Sequence, residues 1–381
     1  MQRHLLIHDE TTCRRRTSIK WRHHDPDVLP LWVAEMDVMP APPVADEIRR
    51  LVADGDLGYP VTAPYLEAVA RWYARWSAPV DPTRMALVTD AMSGVRAAIV
   101  SLTAPGDPVY ITVPVYPPFH SVVSSTGRRK VEVELTSAGR LDVPALETAF
   151  ASSPGRGAVL LSNPHNPTGT VPTAAELTDL ARAAERHGVA VISDEVHAPL
   201  VLSGARFTPI VSIPEAAGAL SVISPAKGWN LAGLKAAAVI GGPNASAAVR
   251  GVPGYLAHTA SHAGVRAHIA AMDEGQGWLA ELVSDLTANR ALLGELLAEH
   301  LPDIRWRPGE ATYLAWLDCR ALGLGDDPAT HFLRHGRVAF NSGLPFGAGR
   351  GHVRLNFAAS PEVLDEAVRR MAKALDQPAD R

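Results

Sequence analysis

Residues 221–235 read Ser-Val-Ile-Ser-Pro-Ala-Lys-Gly-Trp-Asn-Leu-Ala-Gly-Leu-Lys. The apolar run at 220–223 predicts a buried strand that delivers Lys227 into a turn of small residues. A lysine in such a turn is either a solvated surface residue or an amine held in a dry pocket. In a dry pocket, burial lowers the pKa of the amine, which can then form a Schiff base with an aldehyde. Lys227 is our candidate for that amine.

The same stretch allows a second interpretation. Ser224, Pro225, Ala226 and Lys227 fit the S-x-x-K pattern of penicillin-recognising serine enzymes. Those enzymes also need an S-D-N and a K-T-G sequence, and the chain contains neither. The rest of the sequence therefore has to decide what Lys227 does.

Composition restricts the class of protein. The 381 residues are 47% hydrophobic and 20% charged, which is ordinary for a globular protein. A net charge of −4 gives no electrostatic case for a nucleic-acid or membrane partner. Cys13 and Cys319 form neither a disulfide framework nor a metal-ligand pattern. Because the sequence shows no signal peptide and no apolar run of about 20 residues, we expect a cytoplasmic protein.

Strand and helix patterns alternate from residue 85 to residue 240. This alternation predicts an α/β fold with a mostly parallel sheet sandwiched by helices. Proline-rich residues 13–43 predict an extended arm, and residues 278–300 carry the leucine stripe of a long linking helix. The predicted parts are an N-terminal arm (1–45) contributing to the small domain, a large domain (46–270) and a small C-terminal α+β domain (271–381).

Polar and aromatic residues fall at the predicted carboxyl ends of these strands, namely Ser93, Tyr116, Asn166, Asp194 and Lys227. Ligands of parallel α/β sheets collect at that edge, so we expect one site there. Around Ser93 a strand, a small-residue turn and a helix start follow one another, the geometry that directs free amides at a phosphate. An ordinary helix start is the alternative for this turn.

Pyridoxal phosphate is a cofactor whose needs match this set. It uses a lysine Schiff base, a carboxylate at the pyridinium nitrogen, an aromatic face, a donor at the ring hydroxyl and a phosphate cup. The chain offers for these roles Lys227, Asp194, Tyr116, Asn166 and the turn Ser93-Gly94-Val95. Asp194 and His197 could instead be a metal pair, although a third ligand is not evident and we predict no metal.

Three motifs carry a family resemblance: Ser-Asn-Pro-His-Asn-Pro-Thr-Gly (162–169), Ser-Asp-Glu-Val-His (193–197) and Ser-Pro-Ala-Lys (224–227). They resemble motifs of the class I/II, fold-type-I pyridoxal-phosphate aminotransferase superfamily. Leu-Trp-Val-Ala-Glu-Met-Asp (31–37) and Thr-Tyr-Leu-Ala-Trp-Leu-Asp (312–318) are similar to the MalY/PatB branch, the cystathionine β-lyase-like C–S lyases. The resemblance covers about residues 16–368. Two departures, Ala311 and the loop 341–347, concern the specificity for the substrate side chain.

The resemblance implies a role for each matching residue. Lys227 would be the Schiff-base lysine and proton carrier, Asp194 the partner of the pyridinium nitrogen and Tyr116 the residue stacked on the ring. Asn166 and His197 would reach the ring hydroxyl. The implied phosphate contacts are the amides of Gly94 and Val95, the hydroxyl of Ser224, Lys235 and, across a dimer interface, Tyr59. The implied substrate contacts are Arg354 at the α-carboxylate, Asn166, Trp32 and Val33. A solvated Lys235 and a merely packing Tyr59 are the alternatives for those two residues.

The implied activity is α,β-elimination from cystathionine or another cysteine S-conjugate, giving a thiol, pyruvate and ammonia. The implied assembly is a homodimer with pyridoxal 5'-phosphate and a small amino-acid substrate. Two other activities stay open, because the sequence reveals neither the leaving group nor the proton transfers. One is transamination. The other is a specialised reaction, decarboxylating in some variants, on thiol-conjugated natural-product intermediates. A regulatory role without catalysis is a further alternative, but the chain has neither a helix-turn-helix segment nor a basic domain for it.

Overall fold

The computed structural model describes residues 4–153, 157–202 and 204–378 of the chain. Within these ranges the fold is α/β, as predicted, with one seven-stranded sheet, one four-stranded sheet and helices around them. The outer limits of the predicted arm and C-terminal domain, residues 1 and 381, lie outside the described residues.

The strands, in chain order, are β1 (Leu29–Pro30), β2 (Met85–Val88), β3 (Pro108–Val113), β4 (Arg129–Glu134), β5 (Gly157–Ser162), β6 (Val189–Asp194), β7 (Leu220–Ile223), β8 (Ala237–Gly241), β9 (Arg305–Trp306), β10 (Leu314–Asp318), β11 (Val338–Ala339), β12 (Asn341–Ser342) and β13 (His352–Asn356). The α-helices are α1 (Glu10–Cys13), α2 (Ile19–Arg22), α3 (Pro42–Asp54), α4 (Thr62–Ala74), α5 (Ala91–Leu102), α6 (Pro118–Ser125), α7 (Val143–Ala151), α8 (Ala174–Arg186), α9 (Ser246–Arg250), α10 (Tyr255–His258), α11 (His262–Glu274), α12 (Gln276–His300), α13 (Pro328–His331) and α14 (Pro361–Ala374).

The large sheet has the strand order β2-β8-β7-β6-β5-β3-β4. Its strands run parallel except β8, which is antiparallel to both of its neighbours, β2 and β7. Every residue of β3, β5, β7 and β8 is buried, as expected for strands covered by helices on both faces. The carboxyl ends of the parallel strands therefore share one edge, and the site predicted from the sequence lies along it.

The second sheet is antiparallel, with the order β12-β13-β10-β9. The long helix α12 covers the predicted range 278–300 and begins two residues earlier, at Gln276. Residues 29–30 of the arm pair in parallel with residues 338–339, so the arm lies against the C-terminal part of the chain. No helix in the described part of the chain combines the length and the apolar character needed to cross a membrane.

Helix α5 begins earlier than its sequence pattern predicts, at Ala91 rather than at Val95. Asp90 is the N-cap, and its carboxylate accepts a hydrogen bond of 2.8 Å from the Ser93 amide. The Gly94 amide donates to the Asp90 carbonyl at 3.0 Å and is already part of the helix. A Cβ atom on Gly94 would lie 2.9 Å from Val222, so the glycine is needed for close packing of the helix on the sheet. This shift changes which amides face the site.

Candidate active site

A cavity opens at the carboxyl edge of the large sheet, between the sheet, the arm and β13. Its lining includes most of the residues predicted from the sequence: Val33, Tyr116, Asn166, Asp194, His197, Ser224, Lys227, Lys235 and Arg354. These residues come from six different parts of the chain, namely the arm, the ends of β3, β5, β6 and β7 with the loops that follow them, and β13. The arrangement is therefore the single site that the strand-end positions predicted.

Lys227 ends a short 3₁₀ turn, Pro225–Lys227, directly after β7. The hydroxyl of Ser224 caps this turn by accepting from the Ala226 amide at 3.3 Å. The Lys227 amine donates to the Ala34 carbonyl of the arm at 2.9 Å. Burial, reinforced by the positive charge of Arg354, lowers the pKa of the amine to about 8. Near neutral pH a useful fraction of this amine is therefore uncharged and nucleophilic.

Asp194 is the last residue of β6 and is almost fully buried. Its Oδ1 accepts one hydrogen bond, from the Val196 amide at 3.1 Å. Burial raises the pKa of Asp194 to about 6, an effect opposed by that hydrogen bond and by the charge of Lys227. A buried carboxylate of this kind gains stability from a cationic N–H partner, and a protonated pyridine nitrogen has that chemistry.

His197 lies on the wall of the cavity three residues beyond Asp194. Burial, together with the charges of Lys227 and Arg354, lowers its pKa well below the ordinary value, so the ring is neutral. Its Nδ1 is buried without a hydrogen-bond partner among the described residues. This nitrogen is available to a polar group inside the cavity.

Arg354 lies in the middle of β13 with only 4% of its surface exposed. Its Nη1 donates to Asn166 Oδ1 at 3.0 Å, and its Nη2 donates to the Trp32 carbonyl at 3.2 Å. Its Nε is buried without a partner among the described residues. Burial lowers the pKa of the guanidinium to about 10, which still leaves it charged at neutral pH. The guanidinium is thus held in place with donor capacity left for a carboxylate.

The phosphate end of the predicted site requires a correction. Gly94 and Val95 are buried inside α5 and do not line the cavity, because the helix begins one turn earlier than predicted. The residues of α5 that do line it are Ala91 and Met92, at the N-terminal end where helix amides lack intrahelical acceptors. These first-turn amides therefore replace the predicted amides of Gly94 and Val95 as the candidate phosphate cup.

Two further side chains complete this end of the cavity. The Ser224 hydroxyl donates to the Ala236 carbonyl at 2.7 Å, which fixes it at the cavity wall. The Lys235 amine lies 3.6 Å from the carboxylate of Asp90, the cap of α5, and about half of its side chain is exposed. The helix start and the ammonium supply the positive potential that a phosphate needs, and Lys235 offsets the charge of Asp90. The Ser224 hydroxyl could donate to a phosphate only by turning its proton away from the Ala236 carbonyl.

Besides Gly94 and Val95, two more predicted residues, Trp32 and Tyr59, do not line the cavity. The Trp32 backbone reaches the site, since its carbonyl accepts from Arg354, but its indole packs against His23 at 4.9 Å between ring centroids. Tyr59 lies in the loop between α3 and α4, is 81% exposed and packs edge-on to His258. Within one chain Tyr59 is therefore a surface residue.

The structure also adds residues that the sequence reasoning did not assign. The Ala34 carbonyl accepts hydrogen bonds from Lys227 and from the Tyr313 hydroxyl, at 2.9 and 3.0 Å. The Asn356 side chain donates to the carbonyls of Val33 and Glu35, at 2.7 Å each. Ala34 and Tyr313 lie in motifs used for the family resemblance, but a backbone acceptor leaves no signal in a sequence.

The donor and acceptor set of the cavity fits pyridoxal phosphate. Asp194 is a buried carboxylate with a raised pKa, and His197 Nδ1 is a buried polar atom without a partner among the described residues. An amine with a lowered pKa lies opposite a helix start and an ammonium group. Among the described residues no group of three histidine, cysteine or acidic side chains could hold a metal ion. The cavity therefore suits an organic, phosphorylated cofactor.

Comparison with known proteins places this geometry in a family. The model of the family "Aminotransferase class I and II" matches residues 26–371. The chain belongs to the class I and II aminotransferase family. It is 50% identical over 382 residues to the "Putative cystathionine beta-lyase" of Mycobacterium leprae, with 94% of this chain and 95% of that protein covered. It is 33% identical to the cystathionine beta-lyase of Corynebacterium glutamicum, with 95% and 98% covered.

A solved structure has a similar fold. The crystal structure of cystalysin from Treponema denticola, which contains pyridoxal 5'-phosphate, matches with a TM-score of 0.88 and 26% identity. The match covers 95% of this chain and 97% of that one. The family and fold class predicted from the sequence are confirmed.

Proposed function

We propose that the protein is a pyridoxal-phosphate-dependent C–S β-lyase. Its substrates are small amino acids, and it cleaves the bond between Cβ and sulfur in cystathionine or a similar cysteine S-conjugate. The observation that carries this proposal is the cavity in which Lys227, Asp194 and Arg354 meet. The sequence-based predictions of a C–S lyase and of this cofactor are confirmed by the relatives described above.

The residues of the cavity divide the binding of the cofactor between them. Asp194 would be the partner for the ring nitrogen, and Tyr116 would be the aromatic residue beside the ring. Asn166 and neutral His197 would bind the ring hydroxyl. The first turn of α5 and Lys235, with the Ser224 hydroxyl, would hold the phosphate. Bound in this way, pyridoxal phosphate supplies an aldehyde that combines with amines and a ring that accepts the electron pair of a broken Cα–H bond.

The residues of the chain then orient the substrate and move its proton. Arg354 holds the α-carboxylate through donors left free by Asn166 and Trp32. Lys227 Nζ removes the proton from Cα, a task suited to an amine whose pKa is lowered to about 8. Asp194 keeps a positive charge at the ring nitrogen and so stabilises the negative charge that develops when this proton leaves. In total, one S-conjugate and one water give one thiol, one pyruvate and one ammonia.

A product balance tests the activity. We expect the purified holoenzyme to release thiol, pyruvate and ammonia in equal amounts from L-cystathionine. L-2-Aminobutyrate is the matched control, because it has no leaving group on Cβ and should give no pyruvate. Conversion of the cofactor to its amine form by an amino acid, reversed by a keto acid, would instead favour transamination. Absence of both thiol and pyruvate with several S-conjugates would refute the lyase.

The assembly that we propose is a two-fold homodimer with Tyr59 reaching the phosphate of the neighbouring subunit. It is supported by the exposure of Tyr59 and of the apolar Leu57 and Val61 beside it, each more than half exposed. A Lys227→Ala subunit mixed with a Tyr59→Ala subunit should regain activity, because each heterodimer contains one intact site. An active monomer in sedimentation would contradict the dimer but not the lyase activity.

We further propose that the protein acts in the cytoplasm. Both cysteines, Cys13 and Cys319, are buried free thiols, which suits a reducing compartment. Fractionation of cells that express the chain at its native level would test this location. Recovery of the protein outside the cytoplasm would contradict it.

A further inference from the structure

The arm crosses the cavity as an irregular segment whose backbone carbonyls are all held by side chains. From Trp32 to Met36, each of the five carbonyl oxygens accepts at least one side-chain hydrogen bond. The Trp32 carbonyl accepts from Arg354 and Asn341, and the Val33 carbonyl accepts from Asn356. The donors to the next three carbonyls are Lys227 and Tyr313 for Ala34, Asn356 and Lys20 for Glu35, and Asn230 and Arg16 for Met36. Buried backbone carbonyls require hydrogen-bond partners, and here side chains supply them, which fixes the path of this irregular segment.

Ala34 lies at the centre of a tight turn in this segment. The Glu35 amide donates to the Val33 carbonyl at 2.8 Å, two residues back, which closes a three-residue turn. The Asn356 side chain then donates to the carbonyls on both sides of Ala34, those of Val33 and Glu35. Asn356 is fully buried, and its own Oδ1 is held by the Ala358 amide at 2.8 Å. The plane of the peptide that carries the Ala34 carbonyl is therefore fixed.

The fixed Ala34 carbonyl is the direct acceptor for the Lys227 amine. No carboxylate of the described residues lies within ion-pair distance of that amine. The charged groups that act on it from a greater distance are Arg354 and Lys235, which lower its pKa, and Glu35 and Asp194, which raise it. The neutral carbonyl accepts a hydrogen bond from both the ammonium and the amine form of Lys227.

We propose that the Ala34 carbonyl holds the Lys227 amine while a substrate amine occupies its place on the cofactor, and that Asn356 is the positioning residue for this carbonyl. The proposal rests on the proposed function and deepens it. A freed lysine has four rotatable side-chain bonds, and it must stay within reach of the Cα proton to act as a base. Docking on a rigid carbonyl keeps it there without an ion pair that would favour its charged form.

The pKa of Lys227 in cofactor-free protein gives a readout that does not depend on lyase activity. The chain contains five lysines, so protein labelled with [ε-13C]lysine gives five side-chain signals, and a Lys227→Arg variant identifies the one from Lys227. In the Asn356→Ala variant we expect the pKa of Lys227 to fall by about one unit. The sign follows because a loosened carbonyl stabilises the ammonium less, while the burial of the amine remains.

Asn289 provides a matched control. It is also fully buried, and its side chain also donates to two carbonyls, those of Phe357 and Ala359, at 3.0 and 2.8 Å. Asn289→Ala therefore removes a similar pair of hydrogen bonds without touching residues 33–35. The proposal requires that this variant keep the wild-type pKa of Lys227, even if both variants lose stability. An equal shift in both variants would overturn it.

A second variant and a kinetic readout complete the test. If Asn356→Ala does not fold, Asn356→Ser, whose hydroxyl can donate to only one of the two carbonyls, should lower the pKa of Lys227 in the same direction. In the holoenzyme, Asn356→Ala should lower kcat about tenfold and leave KM within about twofold, because Arg354 still binds the carboxylate. A folded Asn356→Ala protein with an unchanged pKa of Lys227 would refute the positioning role, whether or not the protein proves to be a lyase.

Discussion

Two lysines with buried amines, one in the arm and one in the cavity, have opposite surroundings. The amine of Lys20 in α2 lies 2.8 Å from the carboxylate of Asp37, and its side chain is fully buried. The Trp21 indole donates to the same carboxylate at 3.0 Å. The Lys227 amine instead donates to the Ala34 carbonyl, and its exposed part faces the cavity that it lines.

The two lysines differ in their burial, since Lys227 is only partly buried and lines the cavity, and they differ above all in the partner of the amine. A carboxylate partner satisfies a buried ammonium, so the ion pair of Lys20 with Asp37 fastens the arm. A carbonyl partner accepts a hydrogen bond without cancelling the charge, so burial still acts on Lys227 and lowers its pKa to about 8. One lysine therefore contributes to stability, while the other gives up stability for reactivity.

Removing the cavity lysine should have the largest effect on catalysis. We expect Lys227→Ala to lower kcat for pyruvate release by about 10⁴-fold, because the proton at Cα loses its base. The fold, followed by circular dichroism, should be retained. The control Lys130→Ala removes a partly exposed lysine paired with Glu132 and should leave the rate unchanged. A kcat of Lys227→Ala within about tenfold of the wild-type value would contradict the role of Lys227 as the base, since a general base contributes at least about 10²-fold.

Removing the arm lysine should act on stability instead. Lys20→Met leaves the buried carboxylate of Asp37 without this cation and should lower the free energy of unfolding by about 4 kcal/mol. Chemical denaturation measures this loss. The control Arg369→Met breaks an exposed pair with Asp365 and should cost less than about 1 kcal/mol. An equal loss in the free energy of unfolding for the two variants would show that the buried pair of Lys20 with Asp37 contributes no more than an exposed pair.

Arg354 extends the comparison of the two lysines, because a lysine substituted at position 354 should not bind the substrate carboxylate as well as the arginine does. Arg354→Lys should raise KM by about 10- to 100-fold, since a lysine lacks the forked donors that hold both a carboxylate and Asn166. Steady-state kinetics with an S-conjugate measures this change. The methyl ester of the same substrate is the control, and its KM should rise far less from wild type to variant. A rise in KM of the same size for the acid and the ester would assign Arg354 another role.

The smallest effect is the stability that Lys227 gives up. Its folded pKa of about 8 is below the ordinary value of about 10.4, so its contribution to stability is complete above pH 10.4 and is lost as the pH falls through 8. Cofactor-free Lys227→Met should therefore be more stable than wild type by about 2 kcal/mol at pH 7, allowing for the partial exposure of the side chain. Denaturation at pH 7 and pH 10.4 measures the difference in the free energy of unfolding between the two proteins, which should vanish at pH 10.4. A difference of the same size at both pH values would contradict this prediction.

The sequence predicted the parts of the site that follow buried strands. Asp194 ends β6, and Lys227 and Asn166 each lie four residues beyond the end of a strand, β7 and β5 respectively. The ends of these strands are readable because the strands are mostly apolar and only about four to six residues long. The start of α5 was misplaced because residues 90–94 were interpreted as a turn of small residues between the strand and the helix. Asp90 followed three residues later by Ser93 was the capping signal that could have corrected it.

Other parts of the site could not be predicted from the sequence. The Ala34 carbonyl is a backbone atom, and only the three-dimensional path of the arm brings it to Lys227. The role of Asn356 depends on two carbonyls more than 300 residues away in the chain. In a single chain Tyr59 is a surface residue, and a role in the site depends on the dimer that we propose.

The reversed direction of β8 has a consequence for how this family can change over evolution. Because β7 and β8 are antiparallel neighbours, the connection between them leaves and re-enters the sheet at the same edge, with Lys227 near its start and Lys235 near its end. One loop therefore sets the spacing between the reactive amine and the phosphate end of the cavity. Insertions and deletions are tolerated in many surface loops, but here an added residue would change that spacing. The length of this loop should thus vary little, while connections at the opposite edge of the sheet remain free to lengthen.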